Sequence, residues 1–462
     1  MQRDVIVIVA GRILQIAVSL LAVRAFTSLL STAEVGNLYL VNSMVALFGF
    51  ALLNPAGMYF YRKLNRWVAE GEFWNRFILL TLYIALVALF SALIVLILHN
   101  VFNVGSGIDL QILLLFVVAY LFFNTWNQNS LALLNLLDRR MSFVILSLFS
   151  SIGGLLLAVI LAKRSPSALV WLSGQLAAQS LFAFVALVWL DRAVKVNFDR
   201  TAATSVVTAT KISQVFRFVL PLAFTTLLTW TQTQSYRMIV EQRIGLEFLG
   251  QIGLGLSIAA NIAAAVESIV HQVYLPVFYR EISSSDPDVR TAACNRMFQM
   301  TIPLYLGLSL FVSCLAPFLV SILAHGKFAG AFVFVIFGAW IELFRMITGT
   351  LSTAAHSEMQ TGYLVKAYLC GGVLAVAGVV AATFGTRFDL LIPSALLISG
   401  IVTMVVMYRQ MHRIIRVKVG IRDIARAGAL SMPFAGALLF HGLRESVVIS
   451  LGVTGLFGAY LL

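Results

Sequence analysis

A chain of 462 residues that is 60% hydrophobic and only 11% charged, with mean hydropathy +0.95, is excluded from the soluble globular class, whose members carry about twice that charge. The formal net charge of +13 would suggest nucleic acid as a partner of a soluble protein. Here the cations fall in the joints between apolar runs, as in a polytopic membrane protein, so no nucleic-acid partner is expected.

The first apolar run, 5–30, is long enough to cross a bilayer core of about 30 Å. It follows Met1-Gln2-Arg3-Asp4 and is interrupted by Arg12, so it reads as a retained helix rather than a signal peptide. Inside it lie Arg12, Gln15, Ser19 and Arg24. Charge within a span faces a protein interior or water, and Gln15 and Ser19 fall within about 60° of Arg12 on a helical wheel. Arg12 and Gln15 are therefore candidates for a polar cavity, with an interhelical ion pair as the other reading of Arg12. Arg24 lies about 120° away and near the membrane boundary, where its side chain can snorkel.

A corner follows, Ser31-Thr32-Ala33-Glu34-Val35-Gly36. Arg24, Glu34 and Gly36 have counterparts in Arg237, Glu247 and Gly250, and the segments after the two corners close with Phe60-Tyr61-Arg62 and Phe278-Tyr279-Arg280. This ordered recurrence predicts an internal duplication, a common plan in secondary transporters.

Apolar runs near 5–30, 37–60, 77–99, 110–135, 142–162, 168–190, 216–236, 250–277, 299–323, 330–352, 364–384, 391–411, 428–441 and 447–462 predict an all-α polytopic membrane protein of about fourteen transmembrane helices. The predicted organisation is a six-helix bundle over 1–190, a cytoplasmic linker over 191–215, a second six-helix bundle over 216–411, and a loop with two extra helices over 412–462. Pro55, Pro221 and Pro276 are expected to bend their helices.

Several spans carry polar groups. The fourth holds Asn124-Thr125-Trp126-Asn127-Gln128-Asn129. Its amides suit sugar hydroxyls and Trp126 suits a sugar face, or the cluster joins helices. The threonines of the seventh span are discounted, because threonine can bond its own helix backbone. The eighth span ends with Glu267 and His271, four apart and on one face. They form either a proton relay or a polar mouth. The tenth has Glu342 and Arg345 one turn apart. They read as a self-neutralising pair or as a cavity arginine with a titratable neighbour. Substrate-binding candidates are thus Arg12, Gln15, Asn124, Trp126, Asn127, Gln128 and Arg345, and ion-coupling candidates are Glu267, His271 and Glu342.

Lys and Arg alternate along the joints. Arg62, Lys63, Arg66, Arg76, Arg139, Arg140, Arg280, Arg290 and Arg296, and the run from Arg409 to Arg426, fall on one side. That side is cytoplasmic by the positive-inside rule, which puts both termini there. Cys294, Cys314 and Cys370 show neither a metal-binding spacing nor an evident disulfide pair, no P-loop or HExxH is present, and neither cofactor nor metal is expected.

Two six-helix bundles with a duplicated corner and two trailing helices resemble the multidrug/oligosaccharidyl-lipid/polysaccharide (MOP) exporter superfamily. The stretch from Arg24 to Tyr39 looks like its polysaccharide-flippase branch, the Wzx-like O-antigen and exopolysaccharide translocases. That resemblance implies a non-enzymatic flippase of the bacterial inner membrane for a lipid-linked oligosaccharide, commonly on undecaprenyl pyrophosphate. Membrane lipids and other polysaccharide-assembly proteins would be its partners. Two rivals stand beside it. A multidrug cation antiporter of the same superfamily would prefer an acidic cavity, and a membrane polysaccharide polymerase or ligase would need a large outward loop.

Overall fold

The computed structural model describes residues 2–194, 209–282, 286–358, 360, 362–418, 420–444 and 446–461; within its helices, the side chains of residues 2–10, Arg12, 209–212, Gln214, Arg217, Val273, Pro276, His441 and Leu443 lie outside the description. The expected linker therefore falls largely outside the described residues, and so do the side chains of Arg12 and Pro276.

The helix Phe73–Phe102 shows why these segments form a membrane protein. Its exposed large residues Ile78, Leu82, Leu86, Leu89, Leu93, Ile97 and Val101 recur every three or four positions, and Phe77, Leu80, Ile84, Val87 and Val95 on the other side are buried. Both faces are apolar. One meets protein, and the other is suited to lipid rather than water.

The helices in order are α1 (Gln2–Leu29), α2 (Thr32–Phe48), α3 (Asn54–Ala69), α4 (Phe73–Phe102), α5 (Leu110–Leu136), α6 (Arg140–Arg164), α7 (Ala168–Val194) and α8 (Ala209–Thr233). Then come α9 (Tyr236–Arg243), α10 (Leu246–Ile282), α11 (Pro287–Leu323), α12 (Phe332–Ser357), α13 (Gly362–Ala382), α14 (Phe388–Met411), α15 (Ile421–Leu430) and α16 (Val447–Leu461). Among the described residues there is no strand, and ten helical segments are long and apolar enough to cross a membrane, with shorter apolar helices at Ile13–Leu29 and Val447–Leu461. The protein is a multi-pass, all-α membrane protein.

The chain divides into two compact units, Met1–Trp230 and Thr231–Leu462. In the first, α4 packs on α5, α5 on α7 and α6 on α7; in the second, α11 packs on α12, α12 on α14 and α13 on α14. With α2 and α3 taken as one span, these are the third-on-fourth, fourth-on-sixth and fifth-on-sixth pairings in each unit. The same packing scheme is used twice.

The corner after α1 has a local cause. Ser31 caps α2 by accepting from Glu34 N at 3.2 Å. Glu34 then accepts from the backbone N–H of Ala168 at 2.6 Å, so its carboxylate sits at the start of α7. Glu34 and its counterpart Glu247 both occupy the first turn of a helix.

Pro55 acts one step earlier in the chain than a simple kink. The segment Gly49–Leu53 is a π-helical turn, in which Asn54 N–H bonds Gly49 O five residues back. Pro55 stands where Phe50 O would find its donor, and proline has no N–H. Phe50 O accepts instead from Thr226 Oγ1 at 2.6 Å, and Leu52 O from the Tyr83 hydroxyl at 3.1 Å. Thr225 and Thr229 bond the carbonyls of Pro221 and Thr225 on their own helix. Thr226→Val keeps the shape and removes the donor to Phe50. It is expected to cost about 1–3 kcal/mol, read as a lowered melting temperature of the purified protein.

The expected apolar helix over 428–441 takes a different form. α15 stops at Leu430, and Met432–Leu443 is 3-10 helical. Pro433 cannot donate the bond that would carry an α-helix through this point. The 3-10 segment and α16 pack on α11, with Phe434 at the centre of a ring cluster with Phe311, Phe457 and Tyr460.

Candidate functional site

A charged group inside the second unit is built on α10 and α12. Arg345 Nε donates to Glu342 Oε2 at 2.5 Å, one turn away on α12. Its Nη2 donates to Glu267 Oε2 at 2.8 Å on α10. Arg345, Glu267 and Glu342 have side-chain exposures of 37%, 17% and 14%, so the carboxylates are shielded and the guanidinium retains an open face. One arginine between two glutamates gives a formal charge of −1. Such a cluster within a bilayer is stable only while the guanidinium serves both carboxylates.

Around it lie hydroxyl groups. Tyr305 of α11 is fully buried and Tyr368 of α13 half-buried, both within electrostatic reach of Glu267 and Arg345. One and two turns along α10 from Glu267, His271 and Leu275 continue the same face. An open cavity of about 490 Å³ is lined there by Ala264, Glu267, Ser268, His271, Gln272 and Leu275. Glu267 with His271 and Glu342 with Arg345, read in the sequence as two separate pairs, thus share one locality. Tyr305 and Tyr368 had no sequence signal, since a lone tyrosine in an apolar run resembles any boundary aromatic.

The amide cluster of α5 divides by helical face. Asn124 is half-buried and Gln128 exposed, and they bond each other (Gln128 Nε2 to Asn124 Oδ1, 3.1 Å). Asn127 is buried and donates to Ser150 Oγ of α6 at 3.4 Å. Asn129, also buried, accepts from the Tyr61 hydroxyl of α3 at 2.6 Å. Trp126 is 7% exposed and packed among Phe122, Phe123 and Phe184. Trp126, Asn127 and Asn129 therefore join helices here, and only Asn124 and Gln128 keep amides at an accessible face. Tyr61 was visible in the sequence only as a mark of the repeat. Its bond to Asn129 links the second and fourth spans, the pair of positions that Glu267 and Arg345 link in the second unit.

Gln15 donates from Nε2 to Ser147 Oγ of α6 at 2.7 Å, which spends that donor on helix packing. Arg12 lies on α1 with its side chain outside the described residues. Arg24 is half-buried, and the Arg237 guanidinium lies over the neighbouring Tyr236 ring, 5.7 Å from its centroid. Among the described residues no three His, Cys, Asp or Glu side chains are placed to hold a metal ion.

The fold is shared with solved transporters. The lipid II flippase MurJ in its inward closed conformation superposes with TM-score 0.66 over 99% of this chain and 100% of that one, at 14% identity. An inward-facing multidrug resistance MATE family transporter of the MOP superfamily gives TM-score 0.57 over 92% of this chain and 98% of that one, at 13% identity. A MOP superfamily transporter from Pyrococcus furiosus Vc1, described as having a binding pocket of reverse polarity, gives TM-score 0.55 over 89% and 96%, at 13% identity. At these identities the likeness is one of fold. No curated protein matches the chain by sequence. The chain belongs to the polysaccharide biosynthesis protein family, whose model matches residues 72–332.

Proposed function

We propose that this protein is a flippase that carries a lipid-linked oligosaccharide, on undecaprenyl pyrophosphate, across the bacterial inner membrane by alternating access for cell-surface polysaccharide synthesis. The observation that carries this reading is the conjunction of two findings: a polysaccharide-biosynthesis family match over residues 72–332 and end-to-end likeness to a lipid II flippase. On this reading the protein makes and breaks no covalent bond, its termini are cytoplasmic, and O-antigen or exopolysaccharide assembly proteins are its partners.

The Arg345 cluster suits the task through exchange of partners. Arg345 is occupied by Glu267 and Glu342 while both are ionised. Protonation of either carboxylate, with His271 as the nearby relay, releases guanidinium donors to the pyrophosphate, two of whose oxygens accept in the same forked geometry as a carboxylate. Departure of the head group restores the ion pairs. On this reading the amides of Asn124 and Gln128 meet sugar hydroxyls, and Arg12 on α1 holds the anionic head group. The joint between α4 and α5, Asn103–Asp109, is short, which supports a carrier over a polymerase with a large outward loop. The multidrug alternative loses ground to the polysaccharide family match.

The test is deletion of the gene in its own cells. Loss of surface polysaccharide, with lipid-linked repeat units accumulating on the cytoplasmic face, is the expected result. Units that reach the outer face but never lengthen would mean a polymerase. An intact glycan with raised sensitivity to cationic drugs would mean a drug antiporter.

A further inference from the structure

We infer that the segment from Arg409 to Met432 is a docking site for the head groups of anionic phospholipids at the membrane surface. It begins at the end of α14, one of the helices long enough to cross the bilayer. Over 409–430 it carries six cations, Arg409, Arg413, Arg416, Lys418, Arg422 and Arg426, against one carboxylate, Asp423. All six cations are exposed. Among the described residues none has a carboxylate within 4.0 Å. The neighbouring cations of α11 differ. Arg290 is held in a two-bond fork by Glu358 at 2.7 and 3.0 Å, and Arg296 by Glu281 at 2.6 Å. The fold thus neutralises the arginines beside this segment and leaves the segment itself bare.

A charge that serves only to orient a membrane protein needs no fixed geometry, but the backbone over 415–418 is fixed. Ile415 and Val417 are each 5% exposed and belong to the apolar cluster of Phe298, Met407 and Met411. Buried Asn295 clamps the backbone on either side of Val417, its Nδ2 donating to Arg416 O at 2.9 Å and its Oδ1 accepting from Lys418 N at 2.7 Å. With alternate residues drawn inward, Arg416 and Lys418 are turned outward. Arg422 and Arg426 then stand four apart, on one side of α15.

The exposed apolar side chains of the same stretch decide between lipid and an aqueous anion. Ile421 is 79% exposed, Leu430 57% and Met432 74%. Guanidinium groups beside open aliphatic groups on a short amphipathic helix match the boundary between head groups and acyl chains. Each cation near an anionic surface adds to the attraction, and the contributions accumulate along the segment. An acidic protein segment would satisfy the charges and leave Ile421, Leu430 and Met432 in water.

The full-length protein in vesicles of phosphatidylcholine and phosphatidylglycerol, probed by electron spin resonance of spin-labelled lipid, tests this. The motionally restricted fraction measures association of each lipid with the protein. A preference for phosphatidylglycerol of at least about threefold is expected near 0.1 M salt, collapsing towards one at 1 M as the screening length falls from about 10 Å to about 3 Å. The variant Arg416→Gln/Lys418→Gln/Arg422→Gln/Arg426→Gln should lose the preference at low salt, and its counterpart with each arginine replaced by lysine should keep it. Wild-type association equal for the two lipids, or a preference that survives the glutamine variant or 1 M salt, overturns the proposal. The wild-type salt series stands even if the glutamine variant fails to fold.

Discussion

Replacing Arg345 with alanine is expected to abolish transport and to destabilise the second unit by about 2 kcal/mol. The figure lies between the roughly 0–1 kcal/mol of an exposed ion pair and the roughly 3–5 kcal/mol of a buried pair that loses one partner, because Arg345 is 37% exposed while its carboxylates are mostly covered. The cost comes from what remains. Glu267 and Glu342 would face each other across α10 and α12 without a cation. Arg345→Lys should recover part of the stability, since an ammonium cannot reproduce the forked bonds. The triple variant Glu267→Gln/Glu342→Gln/Arg345→Met removes every charge and should recover most of the melting temperature while surface polysaccharide stays lost. Recovery of both would make the cluster purely structural.

Replacing Gly174 with leucine is expected to prevent proper folding of the first unit. α6 and α7 approach so closely that even a methyl group at 174 would lie 2.5 Å from Ala158 Cα and 2.7 Å from the Leu157 carbonyl carbon. Those atoms are backbone and cannot rotate away, so the helices must separate. Overpacking a well-packed core costs about 1–3 kcal/mol and sometimes more. Gly174→Ala should lower the melting temperature measurably, and Gly174→Leu should leave little folded protein by size-exclusion chromatography. A leucine variant with wild-type melting would show that the two helices can repack.

How much of this was legible in the sequence depends on the range over which each cause acts. The apolar runs are local, and α4, α5, α6, α7, α13 and α14 fall where hydropathy puts them. Glu342 and Arg345, one turn apart, could be paired on sight. Glu267 could not be joined to them, because 78 positions separate it from Arg345 and only the packing of α10 on α12 brings them together. The amide run of α5 was visible as a cluster, but nothing local says that Trp126, Asn127 and Asn129 turn inward while Gln128 turns outward; neighbours on α3, α6 and α7 decide it. The duplicated corner was readable as a spacing of Arg, Glu and Gly, whereas the use of Glu34, as an acceptor for Ala168 N–H, depends on a residue 134 positions away. The π-turn before Pro55 is an intermediate case: proline announces a broken ladder, but its repair by Thr226 belongs to the tertiary structure.

The most direct test is translocation by the purified protein. Reconstituted into vesicles whose inner leaflet holds a fluorescent undecaprenyl-pyrophosphate oligosaccharide, the protein should bring that lipid to the outer leaflet, where an impermeant quencher or a glycosidase reaches it. Transfer should exceed that of protein-free vesicles and be lost in the Arg345→Ala variant. Transfer no faster than in protein-free vesicles, from protein that remains folded, would contradict the account.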